Sequence, residues 1–248
     1  MRAAALALLL YFASLVLSAP ASFLAWALAA ATNGVATLEG TQGSVWRGQA
    51  TSLVILDRLG GTHRYKKLNW EWLGVPLVAG EPALRIEVDD PKLRGAGRIT
   101  PRMNGLRIGH ATMRLPASSL AAYWPALSRA ALSGQISVQT EGFILARELL
   151  AGTARIAWRD VGSAWSDAKP LGEYRAQVSG VGASAAFQVE TVSGPLRVEG
   201  RGAWSGSQGL SFEGTARGLP SDTAGLTELL RLLGPDLGGG TYRIRFTD

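Results

Sequence analysis

The residues that could perform acid–base or metal chemistry are few in this chain of 248 residues, and they do not converge. Asp89 and Asp90 form a carboxylate pair, but adjacent residues of a strand point to opposite faces and cannot easily share a substrate. A turn before Pro91 is the simpler interpretation. His63 and His110 have no second ligand type clustered nearby, and the chain has no cysteine. We therefore predict neither a metal site nor a disulfide.

The glycine-rich segments lack the residues that nucleotide sites need. Gly95-Ala96-Gly97 resembles the start of a dinucleotide-binding motif, but the third glycine and the following helix are missing. Gly238-Gly239-Gly240 has no phosphate-binding lysine and precedes a strand pattern, so it is interpreted as a turn. No serine lies in a nucleophile elbow, and two isolated histidines make no catalytic triad. The sequence therefore predicts a protein that is not an enzyme and uses no cofactor.

The basic charge of the chain does not indicate nucleic-acid binding. The net charge is +6, from 25 Lys and Arg against 19 Asp and Glu. The arginines fall singly along the chain, and the longest basic run, Arg64-Tyr65-Lys66-Lys67, has no nucleic-acid-binding motif around it. Arginines on the solvent face of strands explain this spacing, with attraction to anionic lipid headgroups as a secondary use. We predict no nucleic-acid partner.

Strands are the elements that must position any site, because period-2 alternation dominates after residue 65. Apolar side chains alternate with polar ones at Leu68/Trp70/Trp72, Leu84/Ile86/Val88, Ile136/Val138, Ala154/Ile156/Trp158, Phe187/Val189, Leu196/Val198, Leu210/Phe212 and Tyr242/Ile244/Phe246. Gly, Pro, Asn and Asp fall between these runs, as turns require. One apolar and one polar face per strand predict a mainly β, elongated antiparallel domain, built as a curled sheet or a sandwich.

Two short helices are predicted within this β-rich part. They cover Ser118–Trp124, after Leu115-Pro116, and Ser221–Leu233, after Leu219-Pro220. Short blocks around them recur at nearly constant spacing: Gly48-Gln49-Ala50 with Gly152-Thr153-Ala154, Leu93-Arg94 with Leu196-Arg197, and Gly134-Gln135-Ile136 with Gly240-Thr241-Tyr242. This order predicts an internal duplication, with pseudo-repeats over residues 40–140 and 144–248.

Residues 3–31 form an uncharged, apolar N-terminal segment. A membrane-spanning helix needs about 20 mostly apolar residues, and residues 6–24 meet that length. The side chains that favour insertion are Leu6, Leu8, Leu9, Leu10, Phe12, Leu15, Val16, Leu17, Phe23 and Leu24. Pro20 could kink or end this helix. We predict a cytoplasmic tip and a single transmembrane anchor over residues 1–31, followed by the β domain over residues 32–248.

The flanking charges orient the anchor. Arg2 precedes the segment, whereas the next charged residues are Glu39 and Arg47. Positive charge tends to stay in the cytoplasm, so the β domain is predicted outside it. A cleavable secretory signal is the alternative, because Ala27-Leu28-Ala29 and Ala29-Ala30-Ala31 resemble cleavage sites.

Short glycine- and tryptophan-based motifs follow the apolar segment in a fixed order. Their positions are Gly43, Trp46, Gly48, Trp70, Pro116, Gly134, Trp158, Pro170, Leu171, Gly172, Gly234 and Pro235. In this order the chain resembles type II secretion system protein N, from the N-terminal segment to about Phe246. One departure is the insert-like segment Trp165–Lys169.

The resemblance implies a non-catalytic, single-pass component of the bacterial inner membrane, with its C-terminal domain in the periplasm. Its expected partners are other type II secretion subunits, namely the inner-membrane platform and the pseudopilins, together with inner-membrane lipid. It implies no catalytic residues. The alternative function is a lipid- or hydrophobe-binding β groove, because two short helices cannot cover the apolar face of a long sheet.

Overall fold

The structure is a computed structural model that describes residues 10–11, 14–56, 61–74, 80–121, 131–146, 149–219 and 223–247. The strands in this part of the chain are β1 (Ala36–Gly43), β2 (Arg47–Leu56), β3 (Thr62–Trp72), β4 (Leu84–Asp90), β5 (Leu93–Arg102), β6 (Gly105–Pro116), β7 (Leu132–Ala146), β8 (Leu149–Ser163), β9 (Gly172–Val181), β10 (Ser184–Ser193), β11 (Leu196–Ser205), β12 (Gly209–Gly218) and β13 (Thr241–Thr247). The helices with described bounds are α1 (Ser22–Ala31), α2 (Ser118–Ala121) and α3 (Thr223–Leu233).

The strands form one open sheet in which neighbours follow chain order from β1 to β13. This confirms the mainly β prediction and selects a single sheet over a sandwich. Every predicted alternating run lies within a strand. In β12, for example, Leu210 and Phe212 are buried, whereas Ser211 and Glu213 are exposed. One face of such a strand is therefore apolar and the other is polar, as the alternation requires.

The chain divides into two compact units, unit 1 (Met1–Arg98) and unit 2 (Ile99–Asp248). In unit 1, β1 to β4 pair antiparallel in chain order, with Gly48 of β2 opposite Trp70 of β3. The buried core of this unit consists of Ala21, Ala50, Leu68, Trp70 and Leu84. The predicted repeat over residues 40–140 and 144–248 follows a different division and stays a prediction.

In unit 2, strands β6 to β13 pair antiparallel, again in chain order. Its core joins the apolar sheet face to α3, and its buried members are Val161, Leu171, Tyr174, Leu196, Phe212, Ala216, Leu226, Leu229, Leu230 and Ile244. The leucines of α3 recur three and four residues apart, which places them on one side of the helix. The predicted second helix is confirmed from Thr223 to Leu233, whereas residues 221–222 lie outside the described part.

The apolar N-terminal segment is not one continuous helix. Residues 14–17 are helical, but Pro20 forms a β-bridge with Ser44, and α1 begins only at Ser22. Proline lacks the N–H that would continue the helix, and its ring clashes with the preceding turn. The predicted interruption of the helix at Pro20 is therefore confirmed, and the apolar residues after it belong to a separate helix, α1. Among the residues that the structure describes, no helix is long and apolar enough to cross a membrane.

The remaining expectations about this segment and the first short helix fall partly outside the described chain. Leu6, Leu8, Leu9 and Phe12 are not among the described residues. The predicted helix Ser118–Trp124 is observed as α2 up to Ala121, after which the description stops until residue 131.

Candidate functional site: two apolar surfaces

The first candidate surface lies on unit 1, around α1. Leu17, Phe23 and Trp26 are 69%, 58% and 69% exposed, and together they are named the α1 surface. No Asp, Glu, Lys or Arg occurs within α1. Exposed apolar side chains clustered in this way mark contact sites for membranes or proteins.

The opposite side of α1 packs onto the sheet. Ala21, just before the helix, is fully buried, and Leu24 packs against the core of unit 1. Leu24, Leu28 and Ala29 are half-buried at helical spacing. After the helix, the Thr32 hydroxyl donates to the Leu28 carbonyl at 2.8 Å and accepts the Ala36 N–H of β1 at 3.1 Å. The helix is thus fixed directly to β1.

The first family-motif segment, residues 43–50, binds the backbone of this N-terminal region through hydrogen bonds. The Gly43 carbonyl accepts the Ala21 N–H at 3.1 Å, and the Val45 N–H donates to the Ala19 carbonyl at 2.9 Å. The Trp46 indole donates to the Val16 carbonyl at 2.8 Å. These bonds provide partners for backbone groups that Pro20 leaves without helical ones.

Gly48 and Trp70 contact each other and support that segment. A Cβ at Gly48 would lie 2.5 Å from the Trp70 ring and 2.6 Å from the Gln42 carbonyl, so only glycine fits there. The Trp70 indole donates to the carbonyls of Ser44 and Val45 at 3.2 and 3.1 Å. The structure therefore brings Gly43, Trp46, Gly48 and Trp70 together beside α1.

The second candidate surface is an apolar groove in unit 2, between α3 and the apolar face of the sheet. Its volume is about 320 Å³. This α3 groove is lined by Leu132, Ile156, Trp158, Val161, Leu171, Tyr174, Arg175, Ala176, Val189, Leu196, Val198, Phe212, Leu229, Leu233, Ile244 and Phe246. Ligand sites of proteins are typically apolar clefts of about 300–1,000 Å³, so the α3 groove reaches the lower end of that range.

The polar ring atoms in the lining are already paired. The Trp158 indole donates to the Ser133 carbonyl at 3.1 Å, and the Tyr174 hydroxyl donates to the Leu196 carbonyl at 2.9 Å. Burial raises the pKa of Tyr174 above its ordinary value, so this hydroxyl stays protonated. The Arg175 guanidinium pairs with Glu190 at 3.4 Å. The groove therefore offers hydrocarbon contact rather than hydrogen bonds.

An empty, closed cavity of this size would strongly destabilise the fold. At roughly 24 cal/mol per Å³, a void of 320 Å³ costs about 8 kcal/mol. The free energy of unfolding of a whole domain is only about 5–15 kcal/mol. The α3 groove is instead partly open to solvent, and its lining residue Phe246 is 37% exposed.

Two of the family-motif positions of unit 2 line this groove, and a third supports one of them. Trp158 and Leu171 line it, and a Cβ at Gly134 would lie 2.9 Å from the Trp158 indole nitrogen. The other motif positions make backbone contacts. Pro116 pairs with Gln135, Pro170 precedes Leu171, and a Cβ at Gly172 would lie 2.6 Å from the Ser193 carbonyl. A Cβ at Gly234 would collide with the Arg243 carbonyl, and the Pro235 carbonyl accepts the Arg243 N–H at 3.0 Å.

The carboxylate pair has a structural role. The Asp90 carboxylate is buried and accepts the N–H groups of Lys66 and Lys92 at 2.9 and 2.7 Å. Asp89 forms an ion pair with Arg94 at 3.1 Å on the surface. Both residues end β4, and Asp90 holds the turn at residues 91–92 that follows, so the pair has a structural role beside that turn. Within the described residues, no group of three or more His, Asp or Glu could hold a metal ion.

Comparison with known proteins adds one match. The model of the family described as "Type II secretion system (T2SS), protein N" matches residues 33–245. The comparisons with curated proteins and with solved structures gave no match. The family match begins just after α1 and extends into β13, so it covers the strands of both units.

Proposed function

This chain belongs to the type II secretion system protein N family, and from this premise we propose that it acts as a membrane-attached periplasmic subunit of the secretion machine. The resemblance seen in the sequence is confirmed by the family match. Membership suggests a role in type II secretion, and the family is a structural component that is not known as an enzyme. The proposed contribution is therefore binding and positioning rather than catalysis.

The observation that supports membrane attachment is the α1 surface. Phe23 and Trp26 are more than half exposed on a helix without charges, and tryptophan favours the boundary between lipid and water. In this proposal the α1 surface contacts the bacterial inner membrane. Because α1 packs on β1, the sheet of unit 1 is then held at the membrane rather than on a flexible linker. The tendency of positive charge to stay in the cytoplasm, applied to Arg2, favours a cytoplasmic N-terminus and a periplasmic β domain in this proposal.

The proposed partners are the inner-membrane platform subunits and the pseudopilins. The terminal strands β1 and β13 are the edges of the sheet. Edge strands present backbone groups with which a partner strand can pair. On β13, the exposed Arg243 and Arg245 favour an acidic partner segment.

Secretion by complemented deletion cells tests this function. The variant Phe23→Ser/Trp26→Gln should lower the secreted fraction of a type II substrate and shift the protein from the membrane to the soluble fraction. The control Trp204→Gln removes a 42% exposed tryptophan from β11 and should leave both readouts unchanged. Normal secretion by the deletion strain itself would contradict a role in secretion.

The position of the mature N-terminus distinguishes membrane attachment through α1 from cleavage of the apolar segment as a secretory signal. Membrane attachment through α1 requires that mass spectrometry of the cellular protein finds Phe23 and Trp26 still present. A mature chain that starts near Thr32 would instead support the secretory-signal alternative and remove the α1 surface.

A further inference from the structure

We propose that the α3 groove of unit 2 binds one hydrocarbon chain, namely the acyl chain of a lipid or fatty acid. This inference goes beyond the proposed role in secretion and does not depend on it. It rests on the volume, the lining and the hydrogen bonding of the groove.

The lining excludes ligands that need polar partners. A peptide brings an N–H and a carbonyl for each residue, and burying them unpaired is strongly unfavourable. In the groove, the indole of Trp158 and the hydroxyl of Tyr174 are already bonded to backbone carbonyls. An acyl chain needs only apolar contact, which the lining supplies.

The extent of the groove favours a chain over a compact ring. Its lining residues come from seven adjacent strands, from Leu132 on β7 to Phe246 on β13. At about 4.8 Å between neighbouring strands, this spans at most roughly 29 Å. A volume of about 320 Å³ in this partly open groove suits part of a single extended chain, whose remainder lies outside it. Leu229 and Leu233 of α3 lie along it as a cover.

The polar head of the ligand stays outside in this arrangement. The charged residue in the lining, Arg175, is exposed and paired with Glu190. Recognition should therefore depend on chain length and little on the headgroup. Each further buried CH₂ group should tighten Kd about fourfold, until the groove is full.

Fluorescence quenching by a brominated fatty acid tests the proposal on the full chain, exchanged from detergent into amphipol and freed of lipid. Dibromostearic acid should quench tryptophan fluorescence saturably, and the Trp158→Phe variant should lose that component. Competition by unlabelled C8, C10 and C12 fatty acids should strengthen with length, and the matching alcohols should compete within about threefold of the acids.

A pair of matched variants locates the site. Ala176→Phe adds a ring inside the groove and should weaken competition by C12 fatty acid at least tenfold. Ala186→Phe adds the same ring at an exposed position of β10 that does not line the groove, and it should bind like the unaltered chain. Circular dichroism checks that both variants are folded. If Ala176→Phe does not fold, the quenching measured on the wild-type chain still tests the proposal.

Four outcomes would overturn the proposal. The first is the absence of saturable quenching in the wild-type chain. The second is quenching that Trp158→Phe leaves unchanged, which would place the chain on another surface such as α1. The third is competition by acids but not by alcohols, which would show that the headgroup is recognised. The fourth is a co-purified polypeptide in native mass spectrometry, which would identify a protein partner instead.

Discussion

Each unit of this protein covers an apolar sheet face with one helix, but the outer sides of the two helices differ. On α3, Leu226, Leu229 and Leu230 are at most 1% exposed, while Glu228 and Arg231 face solvent. On α1, no residue of the helix is fully buried, and its exposed side remains apolar. The described part of α3 therefore presents a polar outer side to solvent, whereas α1 leaves an apolar side exposed, which the proposed membrane contact would cover.

This difference in the outer sides indicates different roles for two helices that both pack on the sheet. Helix α3 stabilises unit 2 and covers a groove, and its polar side faces solvent. Helix α1 is fixed to unit 1 by its inner side and by the Gly43–Ala50 segment, so its outer side is free to contact lipid. The predictions that follow compare the two regions.

The largest expected effect comes from truncating a buried leucine of α3. Leu230→Ala should lower the free energy of unfolding by about 3 kcal/mol, because the fully buried side chain leaves a cavity. Leu28→Ala in α1 should have a smaller effect, about 1 kcal/mol, since this residue is only half-buried. Urea unfolding measures both values. Equal losses would contradict the contrast between the helices.

A substitution at Gly48, which supports the segment that binds the N-terminal region, should give the next largest effect. In Gly48→Ala the new methyl group would overlap the Trp70 ring, and overpacking of this kind costs about 2 kcal/mol. Gly206→Ala is the control, because no atom lies within 4 Å of the position that its new methyl group would take. This control should change stability by less than about 0.5 kcal/mol. Hydrogen exchange at α1 should accelerate in the Gly48 variant alone.

High pH should weaken unit 2 through Tyr174. The folded state keeps this hydroxyl protonated because burial raises its pKa, whereas the unfolded chain loses the proton near pH 10. Stability is then unaffected below about pH 10 and falls by up to about 1.4 kcal/mol per pH unit above it. Unfolding at pH 9 and pH 11 should show this fall. The Tyr174→Phe variant should fall less, and an equal fall would rule out this group as the cause.

Much of the fold could be predicted from the sequence because each strand has one polar face. The alternation at Leu210 and Phe212 or at Leu68 and Trp70 locates strands directly, and the leucine spacing of α3 locates that helix. The docking of α1 could not be predicted, because its outer side is as apolar as its inner side and shows no periodicity. Pro20 was the one signal that the apolar segment is interrupted.

The sites depend on pairings that short motifs do not reveal. Gly48 and Trp70 stand out as residue types, but their contact is known only once β2 and β3 are aligned. The α3 groove joins residues as distant in sequence as Trp158 and Phe246. The alternation predicts an apolar face, yet how much of it one helix leaves uncovered depends on the packing of α3.

Cysteine labelling in cells tests the central contrast most directly, since the chain has no cysteine of its own. Trp26→Cys places a thiol on the α1 surface, and Leu232→Cys places one on α3 at a residue that is 53% exposed. After permeabilisation of the outer membrane, a membrane-impermeant maleimide should label position 232 at once, and position 26 only after detergent is added. Equal labelling at both positions without detergent would show that α1 lies in water and would contradict the account.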